Sequence, residues 1–168
     1  MTMKTILKEE GYPLAFFKTY LAMILGSIGS NQYRHLYVDT VVGPRDVIEN
    51  GDLACAYFVS SILTLCGLTT GGVHTTVDET ICDLKSSGWK KIHSPRLGCV
   101  VVWGKKFRSR GLGHRHIGFY VGDDNVVSND SVSGSPKLHR LFEKDDLGEF
   151  IRKVEAYYFH PRLESVPS

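Results

Sequence analysis

The segment from Asp52 to Gly67 constrains the fold most, because it predicts one mostly buried helix with both ends marked. Its apolar residues recur at helical spacing. They are Cys55, Phe58, Val59, Ile62, Leu63 and Cys66. Gly51 and Asp52 supply a turn and an N-cap, since the aspartate can accept hydrogen bonds from free N–H groups of the first turn. Gly67 supplies the stop. We therefore expect the rest of the chain to pack around this helix.

Cys55 lies in the first turn of that helix, where the positive end of the helix dipole favours a thiolate. A fold that uses a nucleophilic cysteine would place it there. The alternative is structural, because a cysteine on an apolar helical stripe usually serves as a small buried hydrophobe. Cys66 has the same residue type on the same face but lies at the negative end of the dipole, and we expect it to be core. A catalytic role for Cys55 therefore needs support from residues elsewhere in the chain.

Size, charge and cysteine usage narrow the classes of function. A chain of 168 residues suits one domain, which we place over residues 1–168. The net charge of +2 gives no global field that would call for nucleic acid. The four cysteines form no CxxC pair and no metal-ligand spacing, so we expect no metal or cofactor. Cys55 and Cys66 would lie about 16 Å apart along a helix, too far for a disulfide. Reduced thiols are the simpler interpretation, and oxidised pairs stay open.

The apolar stretch from Leu14 to Gly29 predicts the first helix, over residues 13–29, with Pro13 at its start. An export signal is the alternative, but Glu9 and Glu10 precede the stretch and Lys18 interrupts it. The stretch is also short for a membrane span, so we expect no stable membrane insertion. Localisation stays open between the cytoplasm and export by a non-standard route.

Two further regions join the helices. Residues 33–42 predict a short extended piece, residues 43–46 a turn, and residues 47–50 a helical turn that leads into the central helix. Thr75 to Lys85 predicts a third helix, with a hydroxyl cap and acidic residues in its first turn.

From residue 97 onward the periodicity changes to that of strands. Strands are predicted over residues 97–103, 116–122, 126–131, 137–141 and 151–159, with turns at 123–125 and 134–136. Helices followed by an antiparallel meander predict an α+β fold, with the helices packed on one side of the sheet.

Thiol chemistry needs a base that takes the proton, and histidine is the base of choice near neutral pH. The chain has seven histidines, and six of them lie in predicted loops, at element ends or on weak elements. His116 begins a strongly apolar strand, which is an unusual place for the residue. His114 is its nearest competitor. A strand histidine can also be a satisfied packing residue, and that alternative stays open at this point.

The order of four motifs resembles a known family. Asp-x-x-Cys-x-x-Phe-Val opens the helix, and Gly-Cys-Val-Val-Val-Trp, His-Ile-Gly-Phe-Tyr-Val-Gly and Val-Val-Ser-Asn-Asp-Ser follow. From about Asp52 to His160 the chain resembles the NlpC-type branch of papain-like cysteine peptidases and is similar to the related CHAP amidases. The resemblance implies a papain-like core, at about residues 44–162, that hydrolyses amide bonds in bacterial cell-wall peptides. It implies Cys55 as the nucleophile and His116 as the base.

The third catalytic member is where the sequence departs from the family, which places His, Asn, Gln or Glu on the returning strand. Strand counting puts Ser128 there, and serine orients an imidazole weakly. Asp130 shares the face of Ser128 and is our first choice, and Asn129 is the second because it needs a bulge or register shift to face His116. A polar strand end is the structural alternative for both. Ala54 replaces the aspartate that the family favours before the cysteine, which need not disturb backbone oxyanion donors.

A basic loop precedes His116 and contains Lys105, Lys106, Arg108, Arg110 and Arg115. It is either a cationic rim suited to an acidic substrate or a solvated loop.

Together with the family resemblance, the sequence predicts a monomeric cysteine hydrolase that acts on a peptide or a peptidoglycan fragment. Papain-like acyltransferases, thioesterases and deamidases share such a site, and an inactive binding module is the alternative from another class.

Overall fold

The structure is a computed structural model that describes residues 14–106 and 113–164. The helices are α1 (Phe16–Gly26), α2 (Cys55–Leu65) and α3 (Val77–Ser86). The strands are β1 (Tyr37–Thr40), β2 (Gly43–Asp46), β3 (Lys90–Ile92), β4 (Val100–Trp103), β5 (His116–Gly122), β6 (Asn125–Asp130), β7 (Ser135–Arg140) and β8 (Val154–Phe159). The helices precede the main strands, and the predicted α+β class is confirmed.

Strands β3 to β8 form one antiparallel sheet in the order β3-β8-β4-β5-β6-β7, and β1 and β2 form a separate hairpin. Strands β4 to β7 are a meander, and β8 returns to the other side of β4. The β5–β6 turn has Asp123 and Asp124 at φ 51° and 56°. Two consecutive positive φ values match the twist of a tight hairpin, and this turn pairs Gly122 with Asn125. A register shift between Tyr120 and Gly122 then pairs Gly118 with Ser128.

Helix α2 ends as the sequence predicts and begins later than predicted. Gly67 has φ 60°, and the N–H groups of Gly67 and Leu68 bond to the carbonyls of Thr64 and Leu63. These two bonds satisfy carbonyls that the helix leaves free. The prediction of Asp52 as N-cap is wrong: the helix starts at Cys55, and Ala54 occupies the N-cap without a side-chain cap. The N–H of Asp52 bonds to the Glu49 carbonyl, which places Asp52 in the preceding turn.

The predicted cap of α3 is confirmed. Thr76 Oγ1 accepts a hydrogen bond from the Glu79 N–H at 3.2 Å, and the same hydroxyl donates to Glu79 Oε2 at 2.8 Å. The reciprocal pair is a capping box, which fixes the start of α3.

The prediction of a turn over residues 43–46 is wrong, because this segment is strand β2. Thr40 pairs with Gly43, so the turn lies at Val41 and Val42 instead. Pro44 lacks an N–H, and a two-stranded ribbon tolerates that because each strand has a free edge.

The core lies between the helices and the face of the sheet that carries Phe119. The Phe119 ring contacts Phe58 of α2 and Tyr20 of α1 edge-on, with centroid distances of 5.5 Å and 5.9 Å. All four residues of β4 are buried. Cys66 is only half-buried, with its sulfur 3.6 Å from that of Met23. In the part of the chain that the structure describes, no helix combines the length and apolarity needed to cross a bilayer.

Candidate active site

Cys55 is the first residue of α2, and its thiol lies against the start of β5. The backbone N–H groups of Ile117 and Ala56 point toward its sulfur closely enough to lower the pKa of the thiol. Ile117 directly follows His116 in the chain, so the nucleophile and the base predicted from the sequence are brought to the same place. Both residues line one cleft of about 990 Å³.

Burial sets the ionisation of Cys55. It raises the pKa of the thiol above its ordinary value of 9.0, although the two N–H groups and the Arg152 guanidinium oppose the increase. Desolvation, which raises the pKa of the thiol, therefore outweighs the helix dipole, which lowers it. In the free protein Cys55 is a neutral thiol at neutral pH, so attack by its sulfur requires a base.

The segment before α2 is held by the end of β6. Glu49, Asn50 and Gly51 all have positive φ, at 52°, 56° and 90°. A Cβ on Gly51 would lie 2.5 Å from the carbonyl oxygen of Gly134, so only glycine fits this close approach. The buried Asn129 donates from Nδ2 to the Gly51 carbonyl at 2.6 Å. Asn129 thus fixes the loop from which Cys55 emerges.

His116 contacts Ser128 rather than Asp130 or Asn129, the two residues predicted for this role. His116 Nε2 lies 2.8 Å from Ser128 Oγ. Alternation along the strands puts His116, Gly118 and Ser128 on the face of the sheet opposite Phe119. A Cβ on Gly118 would lie 2.7 Å from the Ser128 Cβ, so the missing side chain at position 118 lets the imidazole reach the serine.

Ser128 also contacts a second histidine. Its hydroxyl lies 2.6 Å from Nε2 of His139, and Nδ1 of His139 lies 3.0 Å from the carbonyl oxygen of Arg140. The rings of both histidines stand beside Trp103, with centroid distances of 5.6 Å and 6.0 Å. Trp103 is in turn fixed by its indole N–H, which donates to the Leu141 carbonyl at 3.1 Å.

This chain of contacts determines which nitrogen of His116 is basic. A carbonyl only accepts, so Nδ1 of a neutral His139 carries its proton and Nε2 accepts. The Ser128 hydroxyl then donates to His139, and its oxygen accepts the Nε2–H of His116. Nδ1 of His116 is left with a free lone pair, available to a thiol.

His116 is held neutral by its surroundings. Burial lowers the pKa of its imidazole to about 3, and the positive charges of Arg152 and Lys106 act in the same direction against a smaller opposing effect of Asp130. The ring is therefore unprotonated across the physiological range, which is the state that a general base requires.

The side chains of Asn129 and Asp130 bond elsewhere. Asn129 faces the loop before α2, as its register predicts. The Asp130 carboxylate accepts the Ser133 N–H at 2.9 Å, which ties it to the turn after β6. Its charge reaches His116 only as a weak field. His114 is exposed at the rim of the cleft, and its carbonyl oxygen accepts a hydrogen bond from Arg152.

The basic loop contributes less free positive charge than its composition suggests. Arg115 forms ion pairs with Asp78 and with Glu155, so its charge is neutralised. Lys105 and Lys106 are exposed at the rim of the cleft. Arg108 and Arg110 lie outside the described residues.

Arg152 lies half-buried in the cleft, just before β8. Nη1 donates to the carbonyl oxygens of Gly104 and His114, at 2.8 Å and 2.7 Å. These two bonds hold the guanidinium between the two sides of the basic loop. Its field acts on both Cys55 and His116.

The described side chains offer no metal centre: in residues 14–106 and 113–164, no group of three or more His, Cys, Asp or Glu is placed to hold an ion. Comparison of the chain with protein-family models and with curated protein sequences finds no match. The case for a function therefore depends on the cleft and on the order of the sequence motifs.

Sequence reasoning missed His139 and Arg152. His139 could have been predicted from the strand pattern. Antiparallel pairing of β6 with β7 places it opposite Val126, which lies two residues before Ser128 on the same face of β6. Arg152 has no signal in the sequence, since it lies in an irregular connection and reaches the cleft only through the path of that connection.

Proposed function

We propose that this protein is a papain-like cysteine hydrolase that cleaves amide bonds, with peptidoglycan stem peptides as the substrate class. Cys55 is the nucleophile and His116 the base. The observation that carries the proposal is the contact of His116 Nε2 with Ser128, which leaves Nδ1 free in the cleft that Cys55 also lines. Within one cleft, these groups meet the needs of nucleophilic catalysis: a nucleophile, a base and a group that orients the base.

The reaction begins with two neutral partners. As the Cys55 sulfur attacks the amide carbonyl carbon, its proton passes to His116 Nδ1. The carbonyl oxygen gains negative charge, and free N–H groups at the start of α2 are suited to stabilise it. The imidazolium then gives its proton to the leaving nitrogen as the C–N bond breaks, which yields a thioester on Cys55.

Water completes the cycle. His116 takes a proton from water as the oxygen attacks the thioester carbonyl, and the C–S bond breaks with return of the proton to sulfur. The imidazolium that forms twice in this cycle is stabilised through Ser128, whose oxygen accepts the Nε2–H. His139 is a positioning residue, since it acts on His116 only through the serine hydroxyl.

The test is cleavage of a defined stem tetrapeptide, followed by mass spectrometry, with the parent protein, Cys55→Ala and Cys66→Ala. Cys66 is the matched control because it lies at the other end of the same helix. We expect two peptide products with the parent and with Cys66→Ala, and none with Cys55→Ala.

Other outcomes would replace the proposal. Adding glycinamide as an acceptor would reveal a transferase if the acyl group appeared on glycinamide in preference to water. Equal binding of the peptide by the parent and Cys55→Ala without any product would indicate a binding module.

A further inference from the structure

Arg152 lines the cleft with a positive charge that no carboxylate among the described residues pairs with. Three arginines line this cleft among the described residues. Arg115 is paired with carboxylates, whereas Arg140 is exposed to solvent, which screens its charge, and donates to the Asp123 carbonyl and to Asn125 Oδ1. Within residues 14–106 and 113–164, Arg152 bonds only to the two carbonyls, and no carboxylate forms an ion pair with it.

Such a guanidinium is costly for the protein alone. Desolvation lowers the pKa of Arg152, and a partly buried cation is ordinarily compensated by an anion. Both protons of Nη1 are used by the Gly104 and His114 carbonyls, which fixes the plane of the group. Nε and Nη2 donate to no group among the described residues. These two nitrogens form the edge that binds a carboxylate through two parallel hydrogen bonds.

We propose that the Nε–Nη2 edge of Arg152 binds a carboxylate of the substrate, carried by one of the two residues that the scissile amide joins. The inference rests on the proposed function, because it takes Cys55 as the attacking group. The place of the carboxylate follows from the position of Arg152 on the wall of the cleft that Cys55 and His116 also line. Neutral peptides are then poor substrates, and peptides with an acidic group at the cleavage point are preferred.

The binding step also prepares the base. In the free protein the positive charge of Arg152 opposes protonation of His116. A bound carboxylate neutralises that charge, so the imidazolium forms at lower cost when Cys55 gives up its proton. Substrates that carry the carboxylate are therefore favoured in the chemical step as well as in binding.

Two alkylating reagents test the subsite without any assumption about the natural substrate. Iodoacetate carries a carboxylate one carbon from the I–C bond, and iodoacetamide is its neutral counterpart. With both, the sulfur forms a C–S bond, iodide leaves and the thiol proton passes to His116. The rate at Cys55 is read by peptide mapping, and the exposed Cys82 of the same molecule supplies the reference ratio of the two reagents.

The expected result is an iodoacetate-to-iodoacetamide rate ratio at Cys55 at least about tenfold above that at Cys82. Arg152→Gln should abolish the excess, and Arg152→Lys should retain only part of it, because lysine keeps the charge and loses the fork. Lys137→Gln is the control for a general field, since Lys137 is exposed on the same cleft, and it should keep the excess.

Three results separate the possible failures. An equal ratio at Cys55 and Cys82, with His116-dependent reaction of Cys55, overturns the subsite and leaves the proposed function standing. An equal loss in Lys137→Gln and Arg152→Gln also overturns it. If Cys55 reacts with neither reagent, both proposals fail.

A second measurement covers the case in which Arg152→Gln does not fold, because Arg152 also ties the two sides of the basic loop. In the parent protein, N-acetylglycine should protect Cys55 from iodoacetamide, and N-acetylglycinamide should not. Equal protection by the two compounds would overturn the subsite.

Discussion

Replacing Ser128 by alanine removes the single hydroxyl that connects the two histidines. Ser128 is buried, with 2% of its surface exposed, and its oxygen makes both contacts, at 2.8 Å and 2.6 Å. In the variant, Nε2 of His116 and Nε2 of His139 both lose their partner. The proton on His116 is then free to occupy either nitrogen.

The expected cost follows from those two bonds. Each buried hydrogen bond contributes about 1 kcal/mol net, so the free energy of unfolding should fall by about 2 kcal/mol. For a chain of this size, that corresponds to a decrease in melting temperature of about 4–8 °C. The reactivity of Cys55 should fall by about tenfold or more at pH 7, since a misdirected base loses part of the rate that general-base catalysis supplies.

Three measurements read this variant. Urea unfolding gives the stability, iodoacetamide gives the reactivity of Cys55, and ¹⁵N NMR of the imidazoles reports which nitrogen carries the proton. In the parent protein, we expect His116 protonated on Nε2 and His139 on Nδ1. Ser131→Ala is the matched control, because Ser131 lies exposed at the same cleft, and it should leave all three unchanged.

The reasoning would be refuted by a Ser128→Ala protein that keeps the parent reactivity and the same proton on His116. It would also be refuted if the parent carried the His116 proton on Nδ1, because that nitrogen could not then act as a base.

Two other predictions concern the same face of the sheet. Gly118→Ala places a Cβ 2.7 Å from the Cβ of Ser128. The variant should therefore have a free energy of unfolding in urea lower by about 1–3 kcal/mol, and its Cys55 should be alkylated more slowly. Gly26→Ala is the control, because a Cβ there meets nothing within 4 Å, and it should not destabilise the protein. The pKa of His116 is lower in the folded protein than in the unfolded chain, so folding favours the neutral ring. The contribution of His116 to the free energy of unfolding is therefore complete above pH 6.5 and is lost as the pH falls toward about 3. Stability should decline by up to about 1.4 kcal/mol per pH unit below 6.5, or about 2 kcal/mol at pH 5. His116→Gln should remove that slope, and an unchanged slope in the variant would contradict the assignment.

The helices and the β5–β6 hairpin could be predicted from the sequence because their signals are local. Gly67 and Thr76 mark helix ends through bonds to residues three to five positions away, and the turn at Asp123 joins β5 to β6. Strand counting predicts Ser128 opposite the start of β5, and in the structure that pairing also depends on a register shift between Tyr120 and Gly122. Its importance was underestimated because serine by itself orients an imidazole weakly, and the support from His139 comes from the next strand.

Other features depend on tertiary contacts that no local pattern encodes. Helix α2 begins at Cys55 instead of the predicted Asp52, because Asn129 and the close approach of Gly51 to Gly134 hold the preceding loop. The ionisation of Cys55 differs from the expectation for a helix start because desolvation exceeds the dipole effect. Both corrections concern burial, which the order of residues does not reveal.

The most direct test of the account is the rate of Cys55 alkylation by iodoacetamide from pH 4 to 10, in the parent protein and in His116→Ala. A neutral thiol beside a neutral imidazole should react at pH 6–7, well below the pH at which a buried thiol ionises alone. In His116→Ala that reactivity should vanish, and the rate should rise only above about pH 9. Identical profiles in the two proteins would contradict the pairing of Cys55 with His116.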